Sequence, residues 1–260
     1  MKQLFFLAGL PRSGSTLLGA LLNQNPNLYV SHTSSFVEIL WRDYSIWNEE
    51  RYAEDFLGTK MKNMKIPFLQ KVSQNYFSEL TDKPIVLDKR RAWQALQNIK
   101  MYREIFGKNP KIICCVRKIE EIIASYKSLH LKNKKEWHPS FLQGNVFETS
   151  FIHLKRTWSS EFKTCLLLIE YKDLVEKTQA TLDRIYEFIN QPSFSHNLNN
   201  IRSKDPLKEA EKLYSLKGMF KLPSRIKKST TSIKILTDEE YNSYSLKNFW
   251  KDNDTSSYSA

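Results

Sequence analysis

Four short apolar runs punctuate the chain: "QLFFLA" at 3–8, "PIVLD" at 84–88, "KIICCV" at 111–116 and "CLLLIE" at 165–170. They are nearly continuous rather than alternating. Parallel strands buried on both faces read in this way. Helical spacing follows each run, directly or after an insertion. "STLLGALLNQ" puts Leu17, Leu18, Leu21 and Leu22 on one face and stops before Pro26. Residues 91–106 space Ala92, Ala95, Leu96, Ile99, Tyr102 and Phe106 as a helix does; Gly107 ends the pattern and Pro110 leads into the next run. Residues 119–131 carry Ile119, Ile122, Ile123 and Tyr126, and residues 178–190 carry Leu182, Ile185, Tyr186 and Ile189. The alternation predicts an α/β fold, a parallel β-sheet flanked by helices on both faces. Ligands of such sheets bind beyond the carboxyl ends of the strands.

Three segments interrupt the rhythm. Residues 36–80 are helical in composition and rich in aromatics (Phe36, Trp41, Tyr44, Trp47, Tyr52, Phe56). Residues 127–160 carry lysines, then Trp137, His138 and Trp158, and residues 195–235 are basic and weakly periodic. There is no internal repeat and no linker long enough to separate domains. The expectation is one α/β domain over 1–250 with helical insertions at about 36–80 and 127–160, and a frayed tail at 251–260.

Composition narrows the function. With 41% hydrophobic and 13% aromatic residues in 260, the chain can bury a core and is not a disordered one. A formal net charge of +12 favours anionic partners such as nucleotides, nucleic acids, acidic membranes or polyanionic substrates, although solubility accounts for it equally. Cys114, Cys115 and Cys165 lie in or at the edge of apolar runs and form no C-x-x-C pair, so they read as buried, reduced core residues. No apolar run approaches the roughly 20 residues of a membrane span. The first one runs straight into a glycine turn with no cleavage site, so it reads as a strand, and the expected location is cytoplasmic.

That turn is "GLPRSGSTLL", Gly9 to Leu18. A strand, a glycine turn and a helix opening on Ser and Thr make an anion site: the first helical N–H groups have no partner in the helix, and the dipole there favours negative charge. Gly14 lets the backbone approach a ligand, and Ser13, Ser15 and Thr16 add hydroxyl donors. The bare alternative is a tight turn with a Ser/Thr cap. The stretch nearly spells G-x-x-x-x-G-K-[ST], a P-loop, with Ser15 where the lysine belongs. In nucleoside triphosphate enzymes that lysine reaches the β- and γ-phosphates, so triphosphate cleavage is disfavoured. Arg12 instead sets a planar cation at the mouth, which suits an anion ending in another group.

"PRSGSTLL", residues 11–18, resembles the 5′-phosphosulfate-binding loop of sulfotransferases that use 3′-phosphoadenosine 5′-phosphosulfate (PAPS). "VRKIEEIIASYKSL" resembles the family's second motif, with Arg117 at a strand end and Ser125 eight residues on. In the family this pair holds the donor's 3′-phosphate. Eight helical residues span about 12 Å, a distance a long arginine can close onto a shared anion. Alone, Arg117 reads equally well as an ion pair with Glu120 or Glu121. "IEYKDLVEKTQATLDRIYEFI" resembles the segment whose tyrosine, here Tyr171, lies near the adenine. "VLDKRRAW" resembles the loop whose lysine, here Lys89, contacts the transferring group, and "KKSTTSIK" resembles a late loop whose serine, here Ser229, returns to the phosphates. The resemblance covers roughly 3–33, 84–130, 165–190 and, faintly, 222–236, and is nearest to the protein-tyrosine branch and bacterial sulfotransferase-like proteins.

The resemblance implies a P-loop-type sheet, PAPS as donor, adenosine 3′,5′-bisphosphate (PAP) as product and no metal. It makes Pro11, Arg12, Ser13, Gly14, Ser15, Thr16, Arg117, Ser125, Tyr171 and Ser229 donor-binding residues, and Arg12 and Lys89 catalytic ones. The base departs from the pattern: the expected glutamate falls on Thr33 and the expected histidine on Arg91. His32, Glu38 and Asp88 are the nearest substitutes. His32 is taken as the base because its unperturbed pKa, about 6.5, suits the task; a loop histidine bonded to a carbonyl is the plain alternative. Asp88 can simply fix Lys89 or its loop.

Two other functions stay open. One is a P-loop nucleotide kinase with Asp88 on Mg²⁺. The other is a non-catalytic nucleotide- or polyanion-binding protein that uses the basic stretch 202–234. No zinc-finger or RNA-recognition signature is present, so no specific nucleic-acid partner is expected. The acceptor is a small molecule, glycan, lipid or peptide.

Overall fold

The structure, a computed structural model, describes residues 2–49, 62–142, 144–202, 216–227 and 233–251. Its sheet has five parallel strands: β1 (Gln3–Gly9), β2 (Leu28–Val30), β3 (Ile85–Lys89), β4 (Ile112–Val116) and β5 (Leu166–Glu170). Their order is β2-β3-β1-β4-β5. Four strands coincide with the apolar runs. The fifth, β2, was not among them: "LYV" is too short to show a period, and its parallel pairing with Ile85, Val86 and Leu87 places it.

Among the described residues the α-helices are α1 (Ser15–Leu22), α2 (Phe36–Ile46), α3 (Lys65–Leu80), α4 (Leu96–Phe106), α5 (Ile119–Lys132), α6 (Val146–Trp158), α7 (Tyr171–Glu176), α8 (Thr178–Phe188) and α9 (Asp238–Ser245). Successive strand residues point to opposite layers. Phe6, Ala8, Val86, Ile112 and Cys114 pack with residues of α2 to α6. Leu7, Ile85, Leu87, Ile113 and Cys115 pack with α1 and α8. Both sets are buried, which explains the unbroken apolar runs. On α1, buried Leu18, Leu21 and Leu22 each contribute about 1.5–3 kcal/mol. The three cysteines are buried and free.

The periodic stretch 91–106 is not one helix. Arg91–Gln94 form a 3₁₀ turn, Ala95 is extended at ψ 136°, and α4 starts at Leu96. Side-chain demands break it. Trp93 donates its indole N–H to Asp88 Oδ2 at 2.7 Å, and Gln94 is drawn inward to bond Gly9 and Ser150.

The chain leaves β1 for β2 and β3 on one side, then crosses to β4 and β5 on the other. The carboxyl ends of β1, β3 and β4 therefore flank the crevice of the topological switch. Residues 50–61, with Tyr52 and Phe56, and residues 252–260 of the expected tail lie outside the described residues. No helix among the described residues is long and apolar enough to cross a membrane.

Candidate active site

Gly9 ends β1 at φ 112°, and its N–H donates to Gln94 Oε1 at 2.8 Å. Leu10 N–H donates to Cys115 O at 2.8 Å, tying the turn to β4. The buried Pro11 then turns the chain, Arg12 takes φ 60°, and Gly14 (φ 95°) caps α1. Gly14 brings no capping side chain, so the helix N-terminus keeps its donors for a ligand. A Cβ on Gly14 would lie 2.8 Å from the Tyr171 ring. The Ser13 hydroxyl faces inward, against the carbonyls of Leu10 and Cys115, so it fastens the loop. Ser15 and Thr16 instead open onto a cavity of about 540 Å³.

The cavity is walled by His32 to Ser35 after β2, by Lys89, Arg90 and Arg91 after β3, and by Tyr126 and His130 of α5. Trp137, Leu142, Asn145, Val146, Leu216, Met219 and Phe220 complete it. Lys89 Nζ stands 3.4 Å from Thr16 Oγ1. Burial, with a smaller push from the Arg91 charge, brings its pKa down to about 8. Its backbone N–H donates to Ser31 Oγ at 2.7 Å.

Asp88 is fully buried beneath, bonded to Trp93 and, at 3.4 Å, to Ser31; burial raises its pKa. It fixes the end of β3 and does not line the cavity. Glu38 pairs with Arg90. His32 is half-buried in the cavity wall, edge-to-face with Phe220 at 5.6 Å.

A buried cationic cluster adjoins the loop. Arg117, only 7% exposed, donates to Glu121 Oε2 at 2.8 Å and sits 4.4 Å from the centroid of Tyr171. Its Nη1 reaches Arg12 O at 3.5 Å. Arg12 Nε donates to Ser125 Oγ at 3.2 Å, and Nη1 donates to Met219 O. Burial lowers the Arg12 pKa, and the Arg117 charge adds to this. Among the described residues the partners of Arg12 are therefore neutral, and only Glu121 offsets two guanidinium groups. Buried charge without a counter-ion is costly, so the cluster is suited to receive an anion. Two guanidiniums and a serine hydroxyl beside a free helix N-terminus fit a ligand phosphorylated at two places.

The structure thus brings together Arg12, Gly14, Arg117, Ser125 and Tyr171 in one cluster, and Ser15, Thr16, His32 and Lys89 in one cavity. Pro11 and Ser13 shape the turn, and Ser229 lies outside the described residues. Sequence reasoning missed Gln94, His130, Met219 and Phe220. Only His130 had a signal, four residues after Tyr126 on the same helical face.

A family model described as "Sulfotransferase family" matches residues 5–195. The 3-alpha-hydroxysteroid sulfotransferase of Cavia porcellus is 29% identical over 102 residues, which cover 34% of this chain and 34% of that protein. The match thus spans about a third of that relative's length. Among solved structures, the sulfotransferase domain of the Synechococcus PCC 7002 olefin synthase aligns with TM-score 0.53 and 20% identity, covering 95% of this chain and 96% of that one. The sulfotransferase domain from the curacin biosynthetic pathway aligns with TM-score 0.51 and 19% identity, covering 95% and 99%. At these identities the likeness is one of fold.

Proposed function

The chain belongs to the sulfotransferase family, and from that premise we propose that it moves a sulfuryl group from PAPS to a hydroxyl or amine of an acceptor and releases PAP. The observation that carries this reading is Lys89 Nζ beside Thr16 at the start of α1, with Arg117 against the Arg12 carbonyl in the loop before it, a loop that has no lysine of its own. Bound PAPS would supply the sulfuryl group and a phosphate leaving group of low basicity.

The N–H groups at the start of α1, with Ser15 and Thr16, bind the 5′ end. Arg117 and Ser125 bind the 3′-phosphate, Tyr171 the adenine, and Ser229 returns to the phosphates. Arg12 gives up neutral partners for an anionic one, a favourable exchange for a buried cation. Lys89 and Arg12 stabilise charge that develops at the transferring group. The three buried free thiols suit the reducing cytoplasm. The acceptor is a small molecule, glycan, lipid or peptide. Burial of Asp88 away from the cavity speaks against the kinase alternative.

The direct test is thermal unfolding with PAP in EDTA against ATP with Mg²⁺. PAP at about 100 times its Kd should raise Tm by roughly 5–10 °C. No shift at millimolar PAP, or an equal shift with MgATP, would sink the donor assignment. His32 is the proposed base. His32→Ala should remove the acid limb of the pH–rate profile and slow turnover by about 100-fold or more. An unchanged profile would exclude it.

A further inference from the structure

Part of the cavity wall is held by a residue that does not line it. Trp137 lies between α5 and α6, and its indole is edge-to-face with His130 at 5.5 Å. Its Nε1–H donates to Glu240 Oε1 at 2.7 Å, across 103 residues of chain. Glu240 belongs to the first turn of α9 and is 8% exposed. Its other oxygen accepts from Lys127 Nζ at 2.7 Å and from Thr237 N–H at 2.8 Å. Thr237 Oγ1 in turn accepts from Glu240 N–H at 3.2 Å, closing a capping box. Burial works to raise the carboxyl pKa, but the bonds from Lys127 and Trp137 outweigh it and keep the group ionised.

Lys127 follows Tyr126 on α5, and Tyr126 and His130 line the cavity one turn apart. One Glu240 oxygen therefore holds the indole beside those two side chains, while the other is taken up by Lys127 and the cap of α9. None of its bonds goes to the arginine cluster or to the loop before α1.

We propose that Glu240 is a positioning residue for acceptor recognition, fixing the Trp137 indole as a flat apolar wall on which the acceptor's body stacks. This rests on the reading that the cavity takes the acceptor. Deletion of the carboxylate frees the indole and leaves Lys127 without its counter-ion, and removes no bond that Arg12, Arg117 or Ser125 makes.

The probe is 2-naphthol, titrated calorimetrically with and without PAP. Trp137→Ala and Glu240→Ala should each weaken naphthol binding by about tenfold, the scale of a charge-assisted hydrogen bond. The double variant should bind no worse than Trp137→Ala alone, because the carboxylate acts through the indole. Glu240→Gln keeps an oxygen for the indole N–H and should stay within about threefold of the wild type. Trp137→Phe leaves the bonds of Glu240 to Lys127 and Thr237 intact and should show an intermediate loss, which keeps the test sound if Glu240→Ala folds poorly. PAP affinity should hold within about twofold throughout.

Absent naphthol binding in the wild type, indifference to Trp137→Ala, additive losses in the double variant or a parallel fall in PAP affinity would each overturn the proposal. Naphthol binding with the expected pattern but no PAP binding would instead remove the donor assignment and leave this one standing.

Discussion

Lys89→Ala is expected to lower turnover by about two to three orders of magnitude at saturating PAPS, read as PAP release. Lys89 Nζ lies beside Thr16 on the first turn of α1, half-buried in the cavity wall. A donor preorganised in such a place acts at low dielectric and needs no reorganisation as charge develops. Removal of one costs roughly 3–4 kcal/mol in the transition state. The charge is also titratable within the working range, since burial brings the pKa to about 8. The cation is the active form, so kcat/KM of the wild type should fall as pH rises through about 8. Lys89→Arg remains cationic there, and its profile should stay flat through that pH even though the changed geometry lowers the rate. A loss below tenfold in Lys89→Ala, or an Arg variant that keeps the fall near pH 8, would take Lys89 out of the catalytic role.

What could be read from the sequence was local. The loop at 9–18 announced itself because strand, glycine turn and helix start are contiguous, and the chemistry of a helix N-terminus needs nothing from elsewhere. Arg117 and Ser125 were legible through the family motif they resemble, a strand-end arginine with a serine eight residues on; the structure adds that the guanidinium also meets Glu121, the bland partner the sequence offered. The sheet followed from runs whose two faces are both buried. The three-residue β2 carried too few positions for any pattern. The break at Ala95 follows from Trp93 and Gln94 claiming partners in other elements. Contacts that cross the chain left no trace: Met219 meets Arg12 over 207 residues, and Glu240 meets Trp137 over 103. Side chains so far apart share no period, so only the assembled fold joins them. Asp88 shows the reverse case. A carboxylate at a strand end beside the loop lysine read as a candidate base or metal ligand, yet its bonds to Trp93 and Ser31 make it an internal brace.

Gly9→Ala should cost about 2–5 kcal/mol of stability, more than the same change at Gly107. Both glycines have positive φ, 112° and 66°, so both variants adopt a conformation that L-residues avoid, at a cost of about 1–2 kcal/mol. The difference is space. A Cβ on Gly107, which ends α4, meets nothing within 4 Å. On Gly9 it would stand 2.1 Å from the Cys115 carbonyl oxygen and 2.4 Å from the Cys115 nitrogen. Those atoms are backbone of a central strand, and no rotamer change can move them aside. Forced overpacking of this kind adds about 1–3 kcal/mol or more. Relief requires β1 to draw away from β4 at its carboxyl end, where Gly9 N–H bonds Gln94 and Leu10 N–H bonds Cys115. The turn carrying Arg12 and the start of α1 would move with it, so the folded fraction of the variant should also bind PAP at least about tenfold more weakly. Urea unfolding of the two alanine variants reads the first effect, and PAP titration of folded protein reads the second. Equal unfolding midpoints for Gly9→Ala and Gly107→Ala would show that the close approach of β1 to β4 is not what requires glycine before the loop.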